Sequence, residues 1–298
     1  MANPKYPLYI PSKGRYKIRQ TSDYLSYMKV PHHIIVEEQE FDLYYEKIKD
    51  NKFVTLLQLD KKYQDKYETL DDLGDTKSKG PGAARNFAWQ HSIDNGFSWH
   101  WVMDDNILRF LRTNKNRQIK VSNGSIFRAM EDFCERYENV YMAGPNYFMF
   151  VPRKAKIPPF VANTRIYSCN FIRNDIPYRW RGRYNEDTIL SLDILTDGYC
   201  TVQFNAFLQD KTTTQVLGGG NTGEFYAKEG TYPKSKMLVE VYPQYSRIMH
   251  RFKRVHHYVD YTPFKKNKLI RKQNIEWDKM KKINNYGMKI KKQKDGQK

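Results

Sequence analysis

Asp104-Asp105-Asn106 follows directly on the alternating run Phe97 to Met103. Two carboxylates at the end of a buried strand are costly unless positive charge sits beside them. A divalent cation carrying a diphosphate is one answer. A second acidic group, Asn185-Glu186-Asp187, opens an amphipathic stretch with Ile189, Leu190, Leu192, Ile194 and Leu195. A carboxylate at a helix N-terminus is stabilised as the anion. Asp187 there reads either as a cap or as a general base for a hydroxyl proton. Pro11-Ser12-Lys13-Gly14-Arg15-Tyr16 follows a short apolar run. A basic, glycine-containing turn after a strand suits an anion or nucleotide at the mouth of an α/β sheet, or is an ordinary surface turn. Arg179, Trp180, Arg181 and Arg183 interleave charge with aromatic rings. They read as solvated side chains lying along the surface or as contacts to nucleic acid through charge and stacking. Arg251 and Arg254 lie beside His250, His256 and His257, a combination that favours a site facing phosphate.

These residues need a frame. Tyr6–Ile10, His32–Val36 and Phe53–Leu59 read as strands, with helices around Tyr24-Leu25-Met28 (capped by Thr21 or Ser22) and over Phe41–Ile48. Three strand–helix units in so short a span predict an open α/β sheet, parallel at first. Lys79-Gly80-Pro81-Gly82 is a turn opening a helix over Ala83–Ile93. Asp94-Asn95-Gly96 stops that helix. In Phe97–Met103, Phe97, Trp99, Trp101 and Met103 point one way and Ser98, His100 and Val102 the other. Beyond come a hairpin (Leu108–Thr113 with Gln118–Val121), a helix over Ser125–Tyr137, and strands over Val140–Gly144, Tyr147–Val151, Arg165–Ile172 and Tyr199–Phe207. Tyr226–Tyr242 reads as helix then strand. The glycine-rich Leu217–Gly223 reads as a loop that approaches a ligand or forms a lid.

At 298 residues and 40% hydrophobic, the chain is large enough for a substantial core, with no apolar run long enough to span a membrane. The first residues do not resemble a signal peptide, and three scattered cysteines suggest a reducing, cytoplasmic setting rather than a disulfide framework or zinc site. The net charge of +18 points to a polyanionic partner, nucleic acid first. Residues 265–298 carry +10 of it, as a solubilising end or as an arm along phosphates. No Walker loop and no strand–GxGxxG–helix unit occurs, which argues against nucleotide triphosphatase and hydride-transfer chemistry.

The ordered series YIPSKGRY, VEEQE, KGPGAARNFAW, VMDDN, YNEDTIL, GGGNTG, RVHHYVDY is similar to the TET/J-binding-protein-associated glycosyltransferases, over about Tyr6 to Tyr261. These enzymes are related to the base J glucosyltransferase and common in bacteriophages. The resemblance implies a GT-A-like open mixed sheet flanked by helices, mostly parallel in its N-terminal half, with a basic C-terminal extension. It divides the chain into a glycosyltransferase domain over 1–264 (nucleotide half about 1–110, acceptor half about 111–264) and a tail over 265–298. It implies inverting, metal-dependent transfer of a sugar from a UDP-sugar to the hydroxymethyl group of 5-hydroxymethylcytosine or 5-hydroxymethyluracil in DNA, in the host cytoplasm for a phage-encoded protein. Pro11, Ser12, Lys13, Gly14 and Arg15 would hold the nucleotide, with Glu37 near the base. Lys79 in the turn and Arg85 on the following helix would serve the donor. Asp104, Asp105 and Asn106 would bind Mg²⁺ or Mn²⁺ and the donor ribose, joined by a late histidine, His256 or its neighbour His257. Asp187 would be the general base. Arg179, Trp180, Arg181, Arg183, Arg251 and Arg254 would face DNA. Asn106 departs from a full D-x-D, since an amide offers a hard cation one neutral oxygen. Two other readings remain: a GT-A enzyme with a glycan or lipid acceptor, and a basic nucleic-acid-binding protein with no enzymatic role.

Overall fold

The computed structural model describes residues 3–74, 78–115, 117–153, 157–212, 232–251 and 254–277. Twelve strands and seven helices are named here among them. In chain order they are β1 (Leu8–Pro11), α1 (Gln20–Tyr27), β2 (His32–Val36), α2 (Phe41–Ile48), β3 (Val54–Gln58), α3 (Lys61–Asp65), α4 (Gly82–Asp94) and β4 (Trp99–Met103). Then follow β5 (Ile107–Asn114), β6 (Arg117–Lys120), α5 (Ser125–Cys134), β7 (Val140–Tyr147), β8 (Phe160–Ala162), β9 (Cys169–Arg173), α6 (Glu186–Thr196), β10 (Cys200–Lys211), α7 (Tyr232–Val241), β11 (Ser246–Arg251) and β12 (Arg254–Val259).

One ten-stranded sheet runs β3-β2-β1-β4-β9-β7-β10-β5-β6, with β8 also on β10. The first four strands are mutually parallel, and β9 then pairs antiparallel with β4. This is the mixed, GT-A-like sheet expected, with its parallel part at the N-terminal side. β11 and β12 form a separate antiparallel hairpin.

β4 shows why the sheet has two cores. Trp99, Trp101 and Met103 face α1 and α5, packing with Leu25, Ile126, Phe127 and Phe171. Val102 faces the other way, with Trp89 of α4 and Leu190 and Ile194 of α6. Every residue of β4 is buried, so the alternation separates two apolar faces rather than an inside from an outside. Burying one such tryptophan removes about 200 Å² from water and contributes on the order of 4 kcal/mol. Phe97 lies outside the strand and is 38% exposed.

The Lys79–Gly82 turn demands its glycines. Gly80 has φ +80°, and a Cβ there would lie 2.9 Å from the Arg183 carbonyl oxygen. A Cβ on Gly82 would meet the hydroxyl of the buried Tyr67 at 1.8 Å. The helix behind it buries Arg85, Ala88, Trp89 and Ser92, the i, i+3, i+4, i+7 stripe, while Ala84 and Phe87 are half-buried. It ends at Gly96, φ +77°, whose N–H reaches the Ile93 carbonyl at 2.8 Å.

Several boundaries differ from expectation. Thr21 and Ser22 do not cap α1, which starts at Gln20 with no side-chain cap. Thr21 instead accepts from the Ile107 N–H (2.8 Å) and donates to the Asp104 carbonyl (2.6 Å), tying α1 to the acidic strand end. β7 runs unbroken through Pro145 to Tyr147, and Phe148–Phe150 is a 3₁₀ turn rather than a strand. β9 begins only at Cys169 because Ser168 sits at φ +64°, which an extended strand does not admit. β10 continues four residues past Phe207. The segment Tyr232–Val241 is one helix, while 226–231 and the Leu217–Gly223 loop lie outside the described residues. Residues 262–277 dock on the domain body: Asn267 donates to the Leu195 and Tyr199 carbonyls, and Trp277 packs on Tyr137. The remainder of the tail lies outside the described residues.

Candidate active site

The ends of β1, β4 and β10, the N-termini of α4 and α6, and the loop before β9 enclose one cavity of about 410 Å³. Parallel strands deliver their C-terminal ends to one edge, where open α/β sheets take ligands. Ser12, Lys13, Arg15, Glu37, Arg85, Asp104, Asp105, Asn106 and Asp187 all line it. Residues distant in sequence therefore share one space.

The turn after β1 forms the first wall. Ser12 donates its hydroxyl to Asp105 Oδ2 (2.7 Å), and the Arg15 guanidinium ion-pairs with Asp105 Oδ1. Lys13 pairs with Glu37 at 3.4 Å. Pro11 lines the cavity, and Gly14 turns its N–H out to the Glu40 carboxylate at 2.8 Å. Lys79 donates its ammonium to the Gln64 carbonyl (2.8 Å) and is not among the lining residues.

Asp104 is held by Arg85 on Oδ1 (2.7 Å) and by Lys211 on Oδ2 (2.5 Å). Arg85 also pairs with Glu186 (3.1 Å), and its guanidinium lies over the Trp180 ring at 4.7 Å. Burial acts to raise the Asp104 pKa, but Lys211 and then Arg85 outweigh it and hold it down to about 2. For Asp105 burial prevails over Arg15, and its pKa is raised. Burial raises Glu186 as well. Burial would lower the Lys211 pKa, but the Asp104 charge keeps it raised.

The opposite wall carries Asp187, whose Oδ1 accepts from the Thr188 N–H at 2.7 Å. Asn185, at φ +56°, turns the chain so that Glu186 and Asp187 both enter the cavity from the first turn of α6. Arg165 stacks over Tyr167 at 4.5 Å. Asp187 is the first of the charges that keep the Arg165 pKa raised against burial. On β12, burial and then Lys234 and Arg165 push His257 down to about 3, with Asp187 acting the other way. His257 is thus the member of the histidine pair in the field of Asp187, and His256, next along the strand, points to the other face.

The 178–184 segment is not the open DNA-facing patch that its composition suggests. Trp180 is 1% exposed, so its ring is not available to stack a base. Arg183 is fully buried and donates to Asp71 (2.7 Å) and to the Ser78 and Gly74 carbonyls. Arg181 pairs with Asp193 (2.7 Å), and Arg179 lies over Trp89 at 4.7 Å. The physical reason is that half-buried carboxylates and carbonyls of the fold take these guanidinium groups first, although Arg179 stays exposed. Arg251 and Arg254 are register partners at the end of the β11–β12 hairpin, and their side chains lie outside the described residues.

The fit to a divalent cation can be tested on the donor atoms. Both oxygens of Asp104 and both of Asp105 already accept from Arg85, Lys211, Arg15 and Ser12. Asn106 Oδ1 is the one orphaned buried oxygen of the triplet, and it is neutral. No group of three His, Cys, Asp or Glu residues suited to a metal occurs among the described residues. A divalent ion 4 Å from the Lys211 ammonium meets a repulsion of about 8 kcal/mol at an effective dielectric of 20. The acidic triplet in this arrangement does not fit a divalent cation.

Sequence reasoning missed Lys211, Arg165, Ser168 and Tyr147. Lys211 had a signal in retrospect: Gln209-Asp210-Lys211 is a polar continuation of an apolar strand, and Gln209 is fully buried.

No helix of the described residues is long and apolar enough to cross a membrane. No curated protein matches this sequence. One family does, described as TET-associated glycosyltransferase, over residues 6–220. That span takes in the mixed sheet, the turn after β1, the acidic end of β4, the first turn of α6 and Lys211, and the chain belongs to the TET-associated glycosyltransferase family.

Proposed function

We propose that the protein transfers a sugar, with inversion, from a UDP-sugar to the hydroxymethyl group of a 5-hydroxymethylpyrimidine in DNA. The observation that carries this reading is the sharing of one cavity by Asp187 on one wall and Ser12, Arg15, Asp104 and Asp105 on the other. The family description supports a glycosyl group as cargo and a modified base in DNA as acceptor, and the charge of +18 suits a polyanionic acceptor.

The nucleotide lies against the 11–15 turn, with Glu37 at the end towards the base. Arg15 and Arg85 orient the donor while fixed by Asp105, Asp104 and Glu186, so they lose little freedom on binding. Asp187 takes the proton from the acceptor hydroxyl as the oxygen attacks the anomeric carbon. A single displacement with one base opposite the leaving group gives inversion. The acceptor base leaves the helical stack to reach a cavity walled on both sides.

The test is transfer of labelled sugar from a panel of UDP-sugars to DNA containing 5-hydroxymethylcytosine or 5-hydroxymethyluracil, with unmodified DNA as control. Label in modified DNA alone is expected, and no label with any donor refutes the reading. Asp187→Asn should lower kcat by 10²–10⁴-fold and leave the donor-induced thermal shift in place. Full activity in that variant removes Asp187 from the role of base.

A further inference from the structure

Asp104, Asp105 and Glu186 place three negative charges at the donor end of the cavity, and Arg15, Arg85 and Lys211 place three positive charges on them. The cluster is neutral as built. Sites for hard divalent cations have unspent carboxylate oxygens and excess negative charge, whereas all four oxygens of Asp104 and Asp105 are already taken by Arg85, Lys211, Arg15 and Ser12. The ion nearest to where such a cation would sit on Asp104 Oδ2 is the ammonium of Lys211, at 2.5 Å.

Lys211 is placed there by the fold. It is the last residue of β10, paired with Ile107 across β5, and the register slips between Asp210 and Lys211. A bulge of this kind re-aims a side chain at the end of a ladder. The next N–H, of Thr212, bonds to the Asn106 carbonyl at 3.1 Å, locking the strand end to the acidic triplet. The ammonium donates to Asp104 (2.5 Å) and to Ser168 Oγ (3.0 Å). An ammonium has three donors, and Lys211 lines the cavity, so the third N–H is left for a ligand. Tyr147 donates to or accepts from the same Ser168 hydroxyl at 2.8 Å, which fixes that anchor in turn.

We infer that Lys211 supplies the positive charge that the departing nucleoside diphosphate needs, and that sugar transfer by this protein proceeds without a divalent cation. This rests on the donor reading given above. As the acceptor O–H loses its proton to Asp187, the new bond to the anomeric carbon forms. The bond from that carbon to the diphosphate oxygen breaks, and its electron pair leaves on the diphosphate. Lys211 keeps all its protons and donates a hydrogen bond to the oxygen on which charge develops. Arg85 shares Asp104 with Lys211 and Arg15 holds the adjacent Asp105, so three fixed cations take the place of one mobile ion.

The experiment compares the full chain with UDP in EDTA and with UDP plus Mn²⁺, by thermal shift and by calorimetry. Expected is the same UDP affinity, within twofold, in both conditions, and transfer that persists in EDTA. UDP binding or transfer only when Mn²⁺ is present overturns the inference and leaves the donor reading standing. Absence of UDP binding in both conditions overturns both. Lys211→Met should lower transfer on the order of 100-fold and weaken UDP in EDTA, while Lys211→Arg should restore most of the UDP affinity. Unchanged UDP affinity and kcat in a folded Lys211→Met also overturns it. If Lys211→Met does not fold, the wild-type comparison decides alone.

Discussion

Two basic segments of this chain look alike in sequence and do opposite things. Residues 11–15 and residues 178–184 each set arginine among aromatic or small residues beside a glycine. In the first, Arg15 and Lys13 line the cavity, paired with Asp105 and Glu37 on its walls. In the second, Arg183 borders the cavity but is spent on Asp71, half-buried Arg181 holds Asp193, exposed Arg179 lies over the Trp89 ring, and Trp180 is buried against Arg85. An arginine's composition does not say whether its carboxylate partner belongs to a ligand's site or to a scaffold strut. That is decided by which strand ends converge around it. The first segment follows a parallel strand at its C-terminal end, and the second crosses the back of α4.

The sharpest way to break this contrast is Arg183→Met. If the segment is scaffold, urea unfolding should show a loss of about 3 kcal/mol, since one charge of a buried pair is removed and Asp71 is left alone. A stable variant with weakened DNA binding would reverse the assignment. The next test uses acid. Burial, as the leading cause, holds His32 down to about 4 and His100 down to about 3, below the ordinary 6.5. Protons are therefore taken up on unfolding. Stability is full above pH 6.5 and falls as pH drops below it, by up to about 1.4 kcal/mol per pH unit for each histidine until the folded pKa is reached. His100→Gln should flatten the slope of urea midpoint against pH between 6.5 and 4, and an unchanged slope would show that His100 is not one of the groups responsible. Arg15→Ala comes third. Donor affinity should drop about tenfold by calorimetry, one charge-assisted hydrogen bond's worth, with a stability loss of about 1 kcal/mol, since Asp105 loses one partner and keeps its hydrogen bond from Ser12. A larger loss of stability than of affinity would move the 11–15 turn into the scaffold class. Smallest is Arg179→Ala, where loss of the contact over Trp89 should cost roughly 0.5–1 kcal/mol in unfolding and leave transfer unchanged.

Much of the frame was legible because its signals are local. Trp99, Trp101 and Met103 alternate with His100 and Val102, and two glycines bracket α4, so the path from turn to helix to acidic strand end follows from spacing alone. The convergence of Asp187 and the 11–15 turn on one cavity needed the resemblance to a family, because no local rule relates positions so far apart. Lys211 was hidden for a different reason. Its strand looks finished at Phe207, yet Gln209 is buried between strands on both sides and Asp210 pairs onward with β5, so polarity there signals hydrogen bonding in the sheet rather than a turn. The 178–184 segment misled because its partners, Asp71 and Asp193, are remote in sequence and their burial is a property of the fold.

The cavity lies at the edge of the ten-stranded sheet, and the β11–β12 hairpin is a sheet of lesser cohesion. The Asp104 N–H bonds to Ser168 across β4 and β9, deep in the ten-stranded sheet, while β12, which bears His257, is paired with β11 alone. Amide protons near Asp104 therefore exchange with solvent only when the whole domain opens, whereas those of β12 are released by smaller excursions of the hairpin.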